Sequence, residues 1–169
     1  KDSYIEIAIE NNYVDMLAYL ISFVTVTNEH FMMCARYNRV EMGKILVESK
    51  LINIHHNNDY VMEEACERQS INFLVYLSTL GQFNMSAHAL CNLDGFFLDL
   101  VIRCIDPSLE AIEEYLVKEI GYGETTLYGI ITKHYKLSDA CLDSIIKIIA
   151  EKEQIDGLAA FRKYFPLYM

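Results

Sequence analysis

Two adjacent histidines, His55 and His56 in the stretch NIHHNN, are the most chemically suggestive residues of this 169-residue chain. Imidazole binds zinc and moves protons near neutral pH. Adjacent residues of an extended loop point in opposite directions, however, so the two rings do not converge on one ion. They read instead as loop histidines packed against a neighbouring segment. His30 and Cys34 stand four apart on one predicted helix, and His88 and Cys91 stand three apart on another. Either spacing puts two donors on one helix face. A zinc site needs four ligands, and neither pair has a partner motif of recognisable spacing, so both pairs are assigned to the core. A Cys–His nucleophile built from the same residues needs a thiolate in an exposed, electropositive setting. The cysteines lie in apolar helices of an acidic chain, so no catalytic residue is expected and the chain is read as a non-enzyme. GYGET at 121–125 offers Gly-x-Gly before a helix but lacks the preceding strand of a dinucleotide site. It is read as a helix break, and no metal or cofactor is expected.

The elements that carry these residues follow from composition. Apolar residues make up 53% and charged residues 22%, the balance of a folded globular chain. Two prolines and seven glycines favour helices over a turn-dense β architecture. A net charge of −10 argues against a nucleic-acid partner, because phosphate binding needs clustered Lys and Arg. A basic membrane-surface mode falls for the same reason. Residues 70–93 contain no charged side chain, but Gly81, Gln82, Asn84, Ser86, His88 and Asn92 interrupt the run, so two helices are expected there and no membrane span. Five scattered cysteines, Cys34, Cys66, Cys91, Cys104 and Cys141, form no Cys-x-x-Cys pair and suit a reducing compartment, hence a cytoplasmic location. No signal-peptide pattern begins at Lys1, and the missing initiator Met allows for a leading segment.

An internal repeat organises the helices. AIENNYVDMLAYL at 8–20 is written again as ACERQSINFLVYL at 65–77, with CARYNRVEMGKILV at 34–47 between them and a looser fourth copy, CNLDGFFLDLVIRC, at 91–104. The first apolar residues of the second helices, Val14, Val40, Ile71 and Leu98, are spaced by 26, 31 and 27 positions. Units of this size are one helix–turn–helix each, too small to bury both faces alone. The first copy is expected to run Asp2–Glu10 and Tyr13–Phe23, and the second Asn28–Tyr37 and Val40–Ser49 with Asn28 as cap. In the third, Asp59 caps YVMEEACER, and Gly81 ends the second helix as a left-handed C-cap. Ile71, Phe73, Leu74, Tyr76, Leu77 and Leu80 cover more than one face, so that helix is sandwiched. Past Pro107, helices are expected over 107–121 with Ser108 as cap, 125–135, 137–153 with Ser138 or Asp139 as cap, and Ile155–Tyr164. Glu63-Glu64 and Glu113-Glu114 read as solvated faces. The tail FRKYFPLYM at 161–169 reads first as a capping element and second as a docking segment.

The phrase INIHHNNDYVMEEACERQSINFLVYLSTLGQFN at 52–84 resembles an ankyrin repeat of the degenerate kind encoded by large nucleocytoplasmic DNA viruses. Ile54-His55, Asn58-Asp59-Tyr60, Ala65 and the run Ile71–Leu77 carry the likeness, which is clear over 2–84 and fades through 85–105. The Thr-Pro-Leu-His helix opening is absent, and the loops are short for a family norm of about 33 residues per repeat. The resemblance implies an all-α, ankyrin-like helical-repeat solenoid. Residues 1–105 would form four repeats, and 106–169 would continue the same solenoid and cap it.

It further implies a protein–protein interaction module of a viral factor that binds host proteins in the host-cell cytoplasm, in an immune-evasion or host-range role. The chain would be a monomer or weakly self-associating. Family geometry places partner contacts on the finger tips, Thr25, Val26, Thr27, His55, His56, Asn57, Asn58, Asp59, Gln82, Phe83 and Asn84, and on the first-helix residues Glu6, Arg36 and Glu63. The alternatives are a structural protein that packs against copies of itself and, last, a cysteine- or zinc-dependent enzyme.

Overall fold

A computed structural model of the chain describes residues 3–91, 93, 95–120, 126–166 and 168. Among the described residues the chain forms α-helices and no strand. They are α1 (Ser3–Glu10), α2 (Val14–Leu20), α3 (Asn28–Arg36), α4 (Val40–Glu48), α5 (Tyr60–Glu67), α6 (Ile71–Leu80), α7 (Ala87–Leu90), α8 (Gly95–Ile105), α9 (Leu109–Ile120), α10 (Leu127–Ile131), α11 (Asp139–Glu151) and α12 (Ile155–Tyr164). They divide into two compact units, Lys1–Met85 and Ser86–Met169. No described helix is long and apolar enough to cross a membrane.

In the first unit one turn is made three times. Asn12, Asn38 and Gln69 take left-handed backbone, with φ of 59°, 55° and 50°. The N–H of the residue after each, Tyr13, Arg39 and Ser70, donates to the carbonyl of Ala8, Cys34 and Ala65 at 2.8, 2.8 and 2.9 Å. This bond, reaching back five residues, closes a Schellman motif and satisfies carbonyls that the helix end would leave open. Ala8, Cys34 and Ala65 are the small residues that the repeat aligns, and all three are fully buried.

The turns bring successive pairs into two layers. α1 packs on α3 and α3 on α5, while α2 packs on α4 and α4 on α6. Arg39 ties the second pair to the first, its guanidinium donating to the carbonyls of Ile9 at 3.2 Å and Glu10 at 2.8 Å. The Asn38 carboxamide oxygen ties it to the third by accepting from Phe73 N–H at 3.0 Å. Phe31 and Phe73 meet in the core with ring centres 5.5 Å apart. Burying a side chain of that size contributes about 2 to 3 kcal/mol, which no short helix pair could recover by itself.

The second unit keeps the layering: α7 on α9 and α9 on α11, with α8 on α10 and α10 on α12. The Schellman turn returns between α11 and α12, where Glu153 has φ of 52° and Gln154 N–H donates to Ile149 at 3.1 Å. The tail closes this unit. Phe161 is fully buried beside Tyr128 and Phe165, and the Tyr168 hydroxyl donates to the Asp139 carbonyl at 3.0 Å. Ser138 caps α11 and Ser108 caps α9, each hydroxyl accepting an N–H three residues on at 3.2 Å.

Several expectations need correction. Thr27, not Asn28, stands at the cap of α3, and its N–H donates to His30 Nδ1 at 3.0 Å. Asp59 stands at the cap of α5 but is itself left-handed, and its carboxylate makes no cap bond because other partners occupy it. Gly81 has φ of 148° and ψ of −165°, an extended backbone open to glycine and not the left-handed cap. In the fourth copy Cys91 follows the short α7 and does not lie within a first helix. GYGET lies outside the described residues.

Candidate functional site

The loops of the first unit are held in order by side chains at the starts of α3 and α5. The Asn28 carboxamide oxygen accepts Asn53 N–H at 2.7 Å, joining the loop before α3 to the loop before α5. The Asp59 carboxylate repeats that bond one pair on, accepting Asn84 N–H at 2.7 Å. Its other oxygen lies 2.6 Å from His55 Nδ1, and the His55 ring packs on Phe83 with centres 4.8 Å apart. His55 N–H in turn donates to Asn53 Oδ1 at 3.0 Å. A buried carboxylate with both oxygens occupied therefore fixes one loop and fastens it to the next.

That fastening supports a costly backbone. Asn57, Asn58 and Asp59 are consecutive left-handed residues, with φ of 51°, 54° and 65°. Each non-glycine residue in that region costs on the order of 1 kcal/mol, and Asn and Asp tolerate it best. The strain turns His56, Asn57 and Asn58 out to solvent while Asp59 stays inside.

The proposed contact residues thus divide. Thr25, Thr27, Gln82 and Asn84 are exposed, whereas Val26 and Phe83 are buried beneath the loops. Glu6 is exposed on α1 and Glu63 half-buried on α5. Arg36 points into a charge cluster: its Nε lies 2.6 Å from Glu64 Oε1, with Arg68 Nε 3.4 Å from the same oxygen. Glu64 is buried, which corrects the reading of Glu63-Glu64 as a solvated face. Burial raises the Glu64 carboxyl, yet the hydrogen bond and charge of Arg36, joined by Arg68, outweigh it and hold the group below the ordinary glutamate value. Sequence reasoning missed Glu64. The available signals were Arg68 four residues on and the buried Ala65 next door.

The cysteines and histidines fit packing better than nucleophilic chemistry. Burial pushes the Cys34 thiol far up, and the Cys66 and Cys141 thiols up to about 12, so all three stay protonated at neutral pH. His30 is buried with Nδ1 occupied by Thr27 N–H. His88 is exposed, against its assignment to the core. Among the described residues no group of three potential metal ligands converges. A groove of about 460 Å³ crosses the turns, lined by Asn12, Asn38, Arg39, Val40 and Asn72.

Over 123 residues, 70% of the chain, the sequence is 30% identical to Protein MGF 360-18R of African swine fever virus. It matches Protein MGF 360-19R of the same virus at the same identity and over the same length. The aligned part is 33% of each of those proteins, so the chain spans about a third of the length of the curated relatives it matches. This similarity points to a viral protein. No protein-family model matches the chain, and no solved structure matches it.

Proposed function

We propose that the chain is a protein–protein interaction module of a viral factor that engages host proteins in the host-cell cytoplasm, carried on an ankyrin-like helical-repeat solenoid and acting without catalysis or cofactor. The observation that carries this reading is the fastened loop edge of the first unit, where Asn28–Asn53 and Asp59–Asn84 bonds hold three loops in register. Pre-ordering a polar edge removes part of the entropy that binding would otherwise cost, the use such strained and rigid loops commonly serve. Exposed His56, Asn57 and Asn58 offer donors and acceptors, and the acidic helix faces around Glu6 and Glu63 would steer a partner with a basic surface. The similarity to viral proteins supports a host partner. Self-association, in which the same solenoid packs against copies of itself, is the rival role.

The test is affinity capture from host-cell lysate with three baits: the native chain, a tip variant (His56→Glu with Asn57→Gly), and a charge-reversed variant (Glu6→Lys with Glu63→Lys). A partner held by the native chain and lost by the tip variant, while both baits keep the same helical circular dichroism, is the expected result. Identical captured sets from the native and tip baits would remove the loop edge from the reading.

A further inference from the structure

In the layer formed by α1, α3 and α5, polar contacts cross the seams between neighbouring helices. Between α3 and α5 the Glu64 carboxylate is met by the Arg36 guanidinium at 2.6 Å, and between α1 and α3 the Tyr37 hydroxyl donates to Glu10 at 3.2 Å. α9 and α11 form the equivalent seam of the second unit. There Glu110, Glu113, Glu114 and Val117 stand at i, i+3, i+4 and i+7, one stripe of α9. Glu113 reaches across, its two oxygens accepting Ser138 N–H at 2.5 Å and the Ser138 hydroxyl at 3.0 Å. No described hydrogen bond or ion pair uses the carboxylate of Glu110 or Glu114, and both residues are exposed.

The facing wall is built of small residues. Ala140, Cys141 and Ser144 of α11, with Ser138 at its cap, leave a groove of about 600 Å³ beside the α9 stripe. Its apolar lining includes Leu109, which is 40% exposed, the half-exposed Val117 and the exposed Ala140. The charge is one-sided over the full length of both helices. α9 holds four acidic side chains and one basic, and α11 holds three acidic and one basic. Neither lysine serves the groove, because Lys118 lies toward Cys91 and Lys147 lies 3.9 Å from Glu151. α9 and α11 already pack on each other here, so the groove is a seam within the unit and not an end face.

We infer that the α9–α11 groove binds a basic amphipathic helix of a protein partner. Two Lys or Arg of that helix pair with Glu110 and Glu114, and an apolar side chain between them seats on Leu109, Val117 and Ala140. The partner's cations take the place that Arg36 takes beside Glu64 in the first unit. The spacing fits, since four residues of α9 span about 6 Å along the axis, the same rise as residues i and i+4 of a helix laid alongside. Apolar contact displaces water and strengthens the ion pairs at the rim, while the negative field of the two helices speeds the encounter. The groove belongs to the second unit, and the inference stands whether or not the loop edge of the first binds a partner.

Fluorescence anisotropy of labelled synthetic peptides on the full chain tests the inference. The probe is an alanine-based helix with Arg at i and i+4 and Leu at i+3, and two control peptides carry Gln for both Arg or Ser for Leu. The native chain should bind the probe with a Kd below about 100 μM at low salt. Each control should bind at least about fivefold more weakly. Glu110→Gln with Glu114→Gln should weaken the probe by at least about tenfold. Asp15→Asn with Glu48→Gln removes the same charge from the first unit and should change binding by less than about twofold. Ala140→Arg, which supplies a cation from the groove's own wall, should weaken the probe as well. All five positions are exposed, so the helical circular dichroism of every variant should match the native chain. No saturable binding to the native chain up to about 1 mM would overturn the inference. So would equal binding of the probe and either control, equal losses in the two double variants, or native binding by Ala140→Arg.

Discussion

Among the described residues both units hold three helix pairs in two layers, yet their helices differ in how uniform they are. In the first, helices run 7 to 10 residues and every pair closes with the same left-handed turn. In the second they run from 4 to 13 residues, and among the described residues that turn is found at α11–α12. Layering survives in both because it requires only that apolar faces of neighbouring helices meet. The turn is a stricter demand, since it needs a buried small residue, a tolerant left-handed residue and a fixed count between them.

The largest contrast lies in the charges. Arg36 and Arg68 hold a buried glutamate in the first unit, whereas Arg103 in the second pairs with Asp99 at the surface. Arg36→Ala should cost about 2 to 3 kcal/mol, because it strands the buried Glu64 with only the longer Arg68 contact. Arg103→Ala should cost under about 1 kcal/mol. Equal losses for the two variants in urea denaturation would erase the distinction. The pH dependence carries a sign. Glu64 has a lowered folded pKa, so its stabilisation is present above the unfolded glutamate value near 4.3 and drains away as pH falls through the folded one. Glu64→Gln should flatten that acid limb, and an unchanged slope would count against the cluster.

A smaller effect separates two helical glycines. A Cβ on Gly43 would meet the fully buried Phe73 ring at 2.7 Å, and on Gly129 it would meet the Tyr164 hydroxyl at 2.8 Å. Tyr164 is half-exposed and can swing its end aside, whereas Phe73 is enclosed. Gly43→Ala should therefore destabilise by about 1 to 2 kcal/mol even after its gain in helix propensity. Gly129→Ala should be neutral or stabilising by up to ~1 kcal/mol. The thermal midpoints of the two variants should move apart, and a shared direction would mean that the two packing sites are alike.

These differences explain what could be read from the residues alone. The alignment of Ala8, Cys34 and Ala65 was legible because the turn fixes a small residue, a polar break and an apolar helix at constant spacing. Helix α12, Ile155–Tyr164, was legible from its own amphipathic pattern. Asp59 stands at the expected cap position, but its carboxylate makes no cap bond, in part because one oxygen is taken by the N–H of Asn84, a partner 25 positions away that leaves no local trace. Glu63 and Glu64 are chemically identical neighbours, and the stronger partner of the buried one, Arg36, lies on another helix, with Arg68 alone close by in sequence. The fourth pair slipped because α7 is a single turn long, too short for a periodic pattern to register. Of the proposed contact residues, the exposed loop tips follow from polarity, whereas the burial of Val26 and Phe83 depends on loops folding back over them.

The smallest effect tests the turn itself. Gln69 is left-handed and exposed, and no described hydrogen bond uses its side chain. Glycine occupies that backbone without the Cβ penalty, but it also gives the unfolded chain more freedom to lose. The two nearly balance, and relief of strain should win by about 0.5 to 1 kcal/mol in Gln69→Gly. Glu153→Gly should gain a similar amount if the α11–α12 turn is the same device. Asn38→Gly should not gain, because its carboxamide also holds Phe73 N–H and that bond would go with the side chain. The ordering of the three midpoints by differential scanning calorimetry is therefore diagnostic. Gains at Gln69 and Glu153 with none at Asn38 would tie the second unit's last pair to the first unit's repeat. A loss at Glu153 would mean that its turn resembles the others in shape while being stabilised by something else.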